Sequence, residues 1–110
     1  MSKPILRGQV YYCDLGEQEG FVQTGNRPVL VVQSNYGNKH SPTTIVAPIT
    51  TSQNNDLPTH FSIELEKKSI VLCEQLRTVN IKDLGKPLYY LNARELVILD
   101  HTLSVSLGIK

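Results

Sequence analysis

From Gln9 to Leu91 the apolar residues of this chain recur at every second position in short runs; beyond Asn92 they recur at every third or fourth. That change of period is the strongest constraint on the fold. A strand alternates its side chains between two faces, whereas a helix brings them back to one face about every 3.6 residues. Gln9 to Asp14 sets Val10 and Tyr12 against Tyr11 and Cys13, and Pro28 to Gln33 is a continuous apolar run suited to a central strand covered on both faces. Thr44 to Ile49 reads as a third strand. His60 to Leu65 reads as a fourth, with Phe61, Ile63 and Leu65 inward and His60 on a polar outer face. Ser69 to Thr78 reads as one fifth strand, joined to the fourth by a tight hairpin through Glu66, Lys67 and Lys68, and Leu88 to Leu91 as a last short one. Val, Ile, Thr and Tyr between Gly, Pro and Asn clusters favour strands throughout.

Two helices are expected. Asn80 is placed to cap a helix of one or two turns that Gly85 ends and Pro87 keeps from continuing. Asn92, with Glu95 three residues on, forms a capping box, and Leu96, Leu99, Leu103 and Leu107 then make the stripe of an amphipathic helix lying on the sheet. The expected architecture is mainly β: an antiparallel sheet with short helices and this C-terminal helix across it.

At 110 residues the chain is expected to be one domain, 1–110, able to bury roughly two thirds of its unfolded surface without disulfides or a structural metal. With 40% hydrophobic and 19% charged residues it is not a disordered chain. Cys13 and Cys73 form no CxxC motif and fit reduced thiols in a cytoplasmic protein. No apolar run reaches signal-peptide or membrane-span length. Eleven Lys+Arg against ten Asp+Glu give a net charge of +1, so any nucleic-acid contact must come from a local patch. His40, His60 and His101 lack the spacing of a zinc site, and Gly16, Gly20 and Gly25 do not form a nucleotide-binding fingerprint, so neither metal nor cofactor is expected. Two connections are long for hairpins: Leu15 to Asn26, which holds those three glycines, and Ser34 to Thr43, which offers Tyr36, Lys39 and His40.

Five strings stand in a recognisable order: Arg7-Gly-Gln-Val-Tyr, Asn26-Arg-Pro-Val-Leu-Val-Val-Gln, Asn38-Lys-His-Ser-Pro-Thr-Thr-Ile-Val-Ala-Pro-Ile-Thr, Leu57-Pro-Thr-His and Cys73-Glu-Gln-Leu-Arg-Thr-Val. With the closing Ser106-Leu-Gly they cover nearly the whole chain, which resembles the MazF/PemK/Kid toxins, the ribonuclease partners of bacterial toxin-antitoxin pairs. The resemblance implies an SH3-like small barrel of the CcdB/PemK kind and a homodimer. It also implies metal-independent, sequence-selective cleavage of single-stranded RNA, with a MazE/PemI-like antitoxin protein as partner.

Cleavage without metal uses the 2'-hydroxyl as nucleophile. It needs an acceptor for that proton, positive charge or donors on the phosphorane oxygens, and help for the departing 5'-oxygen. By resemblance Arg27, Thr50 and Glu74 are the catalytic candidates. Arg27 precedes Pro28, which holds its backbone extended. A guanidinium keeps its proton at neutral pH, so phosphorane stabilisation suits it better than proton donation; a surface ion pair with a carboxylate is the bland alternative. The Thr50 hydroxyl can both donate and accept, and so orient the 2'-hydroxyl or bind a phosphate oxygen. Glu74 matches an acid proposed as general base in Kid-like members, a role for which a carboxylate needs burial; a local ion pair with Arg77 is its alternative. Gln75 and Arg77 suit contacts to bases and phosphates, and Gln23, Asn38 and Lys39 complete the candidate RNA contacts.

In one respect the chain departs from the family. Where many members carry Ser-Glu-Gln it has Phe21-Val22-Gln23, so Val22 replaces an acid, for which Glu17 or Glu19 are possible substitutes. The segment before Ser69 also looks shorter than in relatives. Two rival functions are a CcdB-like toxin that binds gyrase without enzymatic activity and a catalytically weak RNA-binding SH3-like module.

Overall fold

The computed structural model describes residues 4–18, 20–51 and 57–109. In chain order they form β1 (Gln9–Asp14), β2 (Asn26–Val31), α1 (Asn35–His40), β3 (Thr43–Thr50), β4 (His60–Glu64), β5 (Lys68–Leu72), β6 (Arg77–Asn80), a single 3-10 turn (Ile81–Asp83), β7 (Leu84–Tyr90) and α2 (Ala93–Leu107). The strands run antiparallel in the order β4-β5-β3-β2-β1-β7, a sheet curled into a half-barrel, and β6 joins it on β3.

Curling gives the sheet two interiors. Leu30, Val32, Ala47 and Ile49 cluster with Val10, Val71 and the α2 residue Leu99, while Val29, Val31 and Val46 face the other way onto Tyr11, Cys13 and Leu84. The continuous apolar run in β2 is thus covered on both faces, as its sequence demands.

β3 is the hub. One edge pairs Val46, Ala47 and Pro48 with Val31, Leu30 and Val29 of β2. The other edge pairs Thr43–Val46 with β6 and then Ile49 and Thr50 with β5. Pro48, which has no N–H for a ladder, falls where that partner changes.

The change of partner corrects the reading of Ser69–Thr78 as one strand. The chain leaves β5 after Leu72, turns through residues 73–76 with the Gln75 amide donating to the Leu72 carbonyl (3.2 Å), and re-enters the sheet as β6. Cys73 is fully buried and Leu76 packs on the same core, so apolar residues continue through a backbone break and conceal it. β7 begins at Leu84, earlier than Leu88, and takes in Gly85 and Pro87 because its register against β1 shifts on both sides of Tyr11. The expected helix after Asn80 is therefore only the 3-10 turn, and the Asn80 side chain donates to Asp83 (3.3 Å) instead of capping. The Ser34–Thr43 connection contains α1, whose N-cap Ser34 hydroxyl accepts from the Gly37 amide (3.1 Å).

α2 starts at the expected box. Asn92 Oδ1 accepts from the Glu95 amide (2.8 Å), and Glu95 Oε1 accepts from the Asn92 amide (2.9 Å) and the Tyr89 hydroxyl (2.8 Å). Leu99 is fully buried and Leu96 and Leu103 pack beside it, but Leu107, the fourth of the stripe, is exposed. Two contacts dock the helix: Arg7 pairs with Asp100 (2.7 Å), and Ser106 Oγ donates to the Cys73 carbonyl (2.8 Å). Beneath it Gly8 has φ +98°, and a Cβ there would lie 2.8 Å from Leu96, so only glycine fits.

Candidate active site

The loop between β1 and β2 is closed at its base by two backbone bonds, Leu15 N–H to the Gly25 carbonyl (2.9 Å) and Gly25 N–H to the Gly16 carbonyl (2.8 Å). Gly25 takes φ +80° to make them, a conformation glycine adopts without strain. Three side chains then hold the loop. Arg77 Nη1 donates to the Leu15 carbonyl (2.9 Å), and Arg27 Nε donates to the Thr24 carbonyl (2.7 Å). Gln75 grips both directions at once: its Oε1 accepts from the Gln23 amide (2.8 Å) and its Nε2 donates to the Phe21 carbonyl (3.2 Å).

Arg27 stands opposite Cys13 on β2, half-buried, and its Nη1 reaches the Ile49 carbonyl at 3.4 Å. That contact brings the guanidinium to the peptide of Thr50, the buried last residue of β3. Among the described residues the partners of Arg27 are carbonyls, not the carboxylate of a surface pair. A guanidinium carries five N–H donors in a planar fork, so two carbonyls fix its position and leave donors for an anion.

Glu74 lies in the turn between β5 and β6, and its partner is His60 rather than Arg77. His60 Nε2 is 2.8 Å from Glu74 Oε2, and Thr59 Oγ1 donates to Glu74 Oε1 (3.1 Å). The His60 side chain is only 4% exposed, against 32% for Glu74, which corrects its reading as a surface residue. The turn folds back over it because the Cys73 amide donates to the Thr59 carbonyl (3.0 Å). The adjacent Cys73 thiol is pushed up to about 12 by burial and then by the Glu74 charge, with Arg7 pulling the other way. Thr59 and His60 are members of this cluster that residue-by-residue reasoning missed; the signal was their place in the Leu57-Pro-Thr-His string.

The remaining candidates divide. Gln75 and Arg77 hold the backbone of the loop that Arg27 also holds, and Gln23 contributes its main-chain amide. Asn38, an expected RNA contact, sits in the fold as a structural amide. It is buried, its Oδ1 accepts from Thr44 Oγ1 (2.6 Å) and Gln33 Nε2 (3.0 Å), and its Nδ2 donates to the Gln33 carbonyl (3.1 Å). Thr44 is six residues from Thr50, roughly 20 Å along an extended strand, so within one protomer Asn38 and its exposed neighbour Lys39 stand away from Arg27. Val22 and Glu17 are exposed. Glu19 lies outside the described residues.

Residues 6–107 match the family of PemK-like, MazF-like toxins of type II toxin-antitoxin systems. The chain belongs to this family. A relative from Staphylococcus epidermidis, an endoribonuclease MazF, is 43% identical over 111 residues, covering 96% of this chain and 92% of its own. A mycobacterial endoribonuclease solved in complex with its cognate antitoxin superimposes with TM-score 0.83 at 27% identity, covering 96% of this chain and 97% of that one. The fold is also that of MazF from Deinococcus radiodurans, with TM-score 0.80 at 21% identity over 98% of this chain and all of that one. Among the described residues of this PemK/MazF-like toxin, no helix is long and apolar enough to cross a membrane.

Proposed function

We infer that this PemK/MazF-like toxin is a sequence-selective endoribonuclease acting on single-stranded RNA, mRNA included, through the 2'-hydroxyl of the substrate and without a metal. The observation that carries the reading is the Arg27 guanidinium, fixed by the Thr24 and Ile49 carbonyls next to Thr50. A phosphate seated there meets preorganised positive charge, which acts most strongly on the charge that develops in the phosphorane. Thr50 orients the 2'-hydroxyl or a phosphate oxygen. Glu74, held by His60 and Thr59, is the candidate acceptor of the hydroxyl proton. Gln75 and Arg77 shape the groove through the loop they hold, and the backbone beside Gln23 lines it. The toxin works in the cytoplasm as a homodimer and is neutralised by a MazE/PemI-like antitoxin.

Purified protein incubated with mixed RNA in EDTA is expected to make discrete cuts bearing 2',3'-cyclic phosphate and 5'-hydroxyl ends. A 2'-deoxy substitution at the scissile nucleotide should block cutting. Products with 5'-phosphate ends would reject the mechanism, and intact RNA would return the gyrase-binding and RNA-binding readings to the front.

A further inference from the structure

Phe21 is 97% exposed, the most exposed large hydrophobic side chain among the described residues. Its position in the fold is unusual for a ring left in water. Its own carbonyl accepts from Gln75 Nε2, and two residues on, the Gln23 amide donates to Gln75 Oε1. The backbone on both sides of Val22 is therefore fixed while the ring reaches outward. The next residue, Thr24, gives its carbonyl to Arg27 Nε. Phe21 thus belongs to the same anchored stretch as the Arg27 cluster. Tyr36, the next most exposed aromatic residue, is different: its ring leans on His40, with centroids 4.4 Å apart, on α1.

A protein that handles single-stranded RNA holds splayed bases on aromatic faces, and it does so with little regard to sequence because every base has a π-face. A phenyl ring on a backbone that Gln75 holds, three residues before the Thr24 carbonyl that holds Arg27, fits that task. We propose that Phe21 is a stacking platform for one unpaired base of the RNA flanking the phosphate at Arg27, held in place by the Gln75 amide. The proposal rests on the endoribonuclease reading for its substrate class. It adds a contact that reads no base identity: Phe21 supplies affinity, and the choice of cleavage sequence lies elsewhere.

The chain has no tryptophan, so Phe21→Trp places a sole reporter at the platform. The probes are single-stranded oligonucleotides of mixed sequence with 2'-O-methyl riboses, which cannot be cut, joined by one that carries the cleavage sequence wherever RNA digestion maps it. Their binding is measured for the wild type and for Phe21→Ala, Phe21→Tyr and Phe21→Trp, with a thermal melt of each as the check on folding. Phe21→Ala is expected to weaken binding about 5- to 150-fold, the range of one base–aromatic stack, and the affinity loss should exceed the loss in single-turnover rate at saturating cleavable RNA. Phe21→Tyr and Phe21→Trp should retain affinity. The tryptophan emission should be quenched by the probes and not by ones made abasic. Binding of Phe21→Ala within about twofold of wild type, where an essential stack predicts more, overturns the proposal. So does emission that responds only to protein concentration, marking a contact with a second copy, or only to an antitoxin. A wild type that binds the probes with this Phe21 dependence yet leaves RNA uncut overturns the nuclease reading alone; one that does neither overturns both.

Discussion

Among the described residues the partners of Arg27 are the main-chain carbonyls of Thr24 and Ile49, and carbonyl oxygens do not neutralise a guanidinium as a carboxylate does. The charge is therefore held still by neutral groups. If it acts on the phosphorane, Arg27→Ala should lower the single-turnover rate by about 100- to 1000-fold, the usual cost of one such donor, with a smaller effect on binding of an uncleavable RNA. Arg27→Lys should not restore the rate, because a point charge lacks the planar fork. An Ala variant cutting at close to the wild-type rate would remove Arg27 from the site. Lost binding with an unchanged rate at saturation would make it a ground-state contact. At this scale the sequence was informative where chemistry is local. Arg27 before Pro28, and Thr50 at the end of an apolar run, were readable because neighbours in sequence fix them. The His60–Glu74 pair joins residues fourteen apart across a turn that periodicity did not register. The burial of Asn38 was hidden for a similar reason: it depends on α1 folding the amide against Thr44.

Among the elements, α2 is the one whose start is written in its own residues. Asn92 and Glu95 each satisfy the other's backbone amide. Asn92→Ala should cost about 0.5–2 kcal/mol, read as a lower midpoint in denaturant unfolding with the slope unchanged; an unaltered midpoint would mean that burial of Leu99 alone fixes the helix start. β1, β2 and β3 were likewise legible, because each alternates or saturates with apolar residues over its length. The break between β5 and β6 was not. A buried Cys73 and a packed Leu76 keep the pattern of a strand while the backbone turns, and what sets the turn is the sharing of one edge of β3 between β5 and β6, which no local window contains.

For the whole molecule, β3 links the sheet's two halves and both apolar interiors, so the site and the core are expected to unfold together. Val97, Val105 and Leu107 leave apolar surface on the outside of α2. A chain of this size with such a surface should not remain alone, and the proposed homodimer predicts twice the chain mass on sizing with light scattering. A monomer that cleaves at full rate would contradict the homodimer as the working form. The Gln75 clamp carries a consequence of another kind. Both of its bonds to the loop end on main-chain atoms, the Phe21 carbonyl and the Gln23 amide, so the anchor is indifferent to which side chains ride on residues 21 and 22. Val22 in place of a family acid is an exchange of that sort. The loop is built as a cassette on a fixed mount, in which exchanges at residues 21 and 22 should alter what the toxin grips without dismantling the frame that aims it.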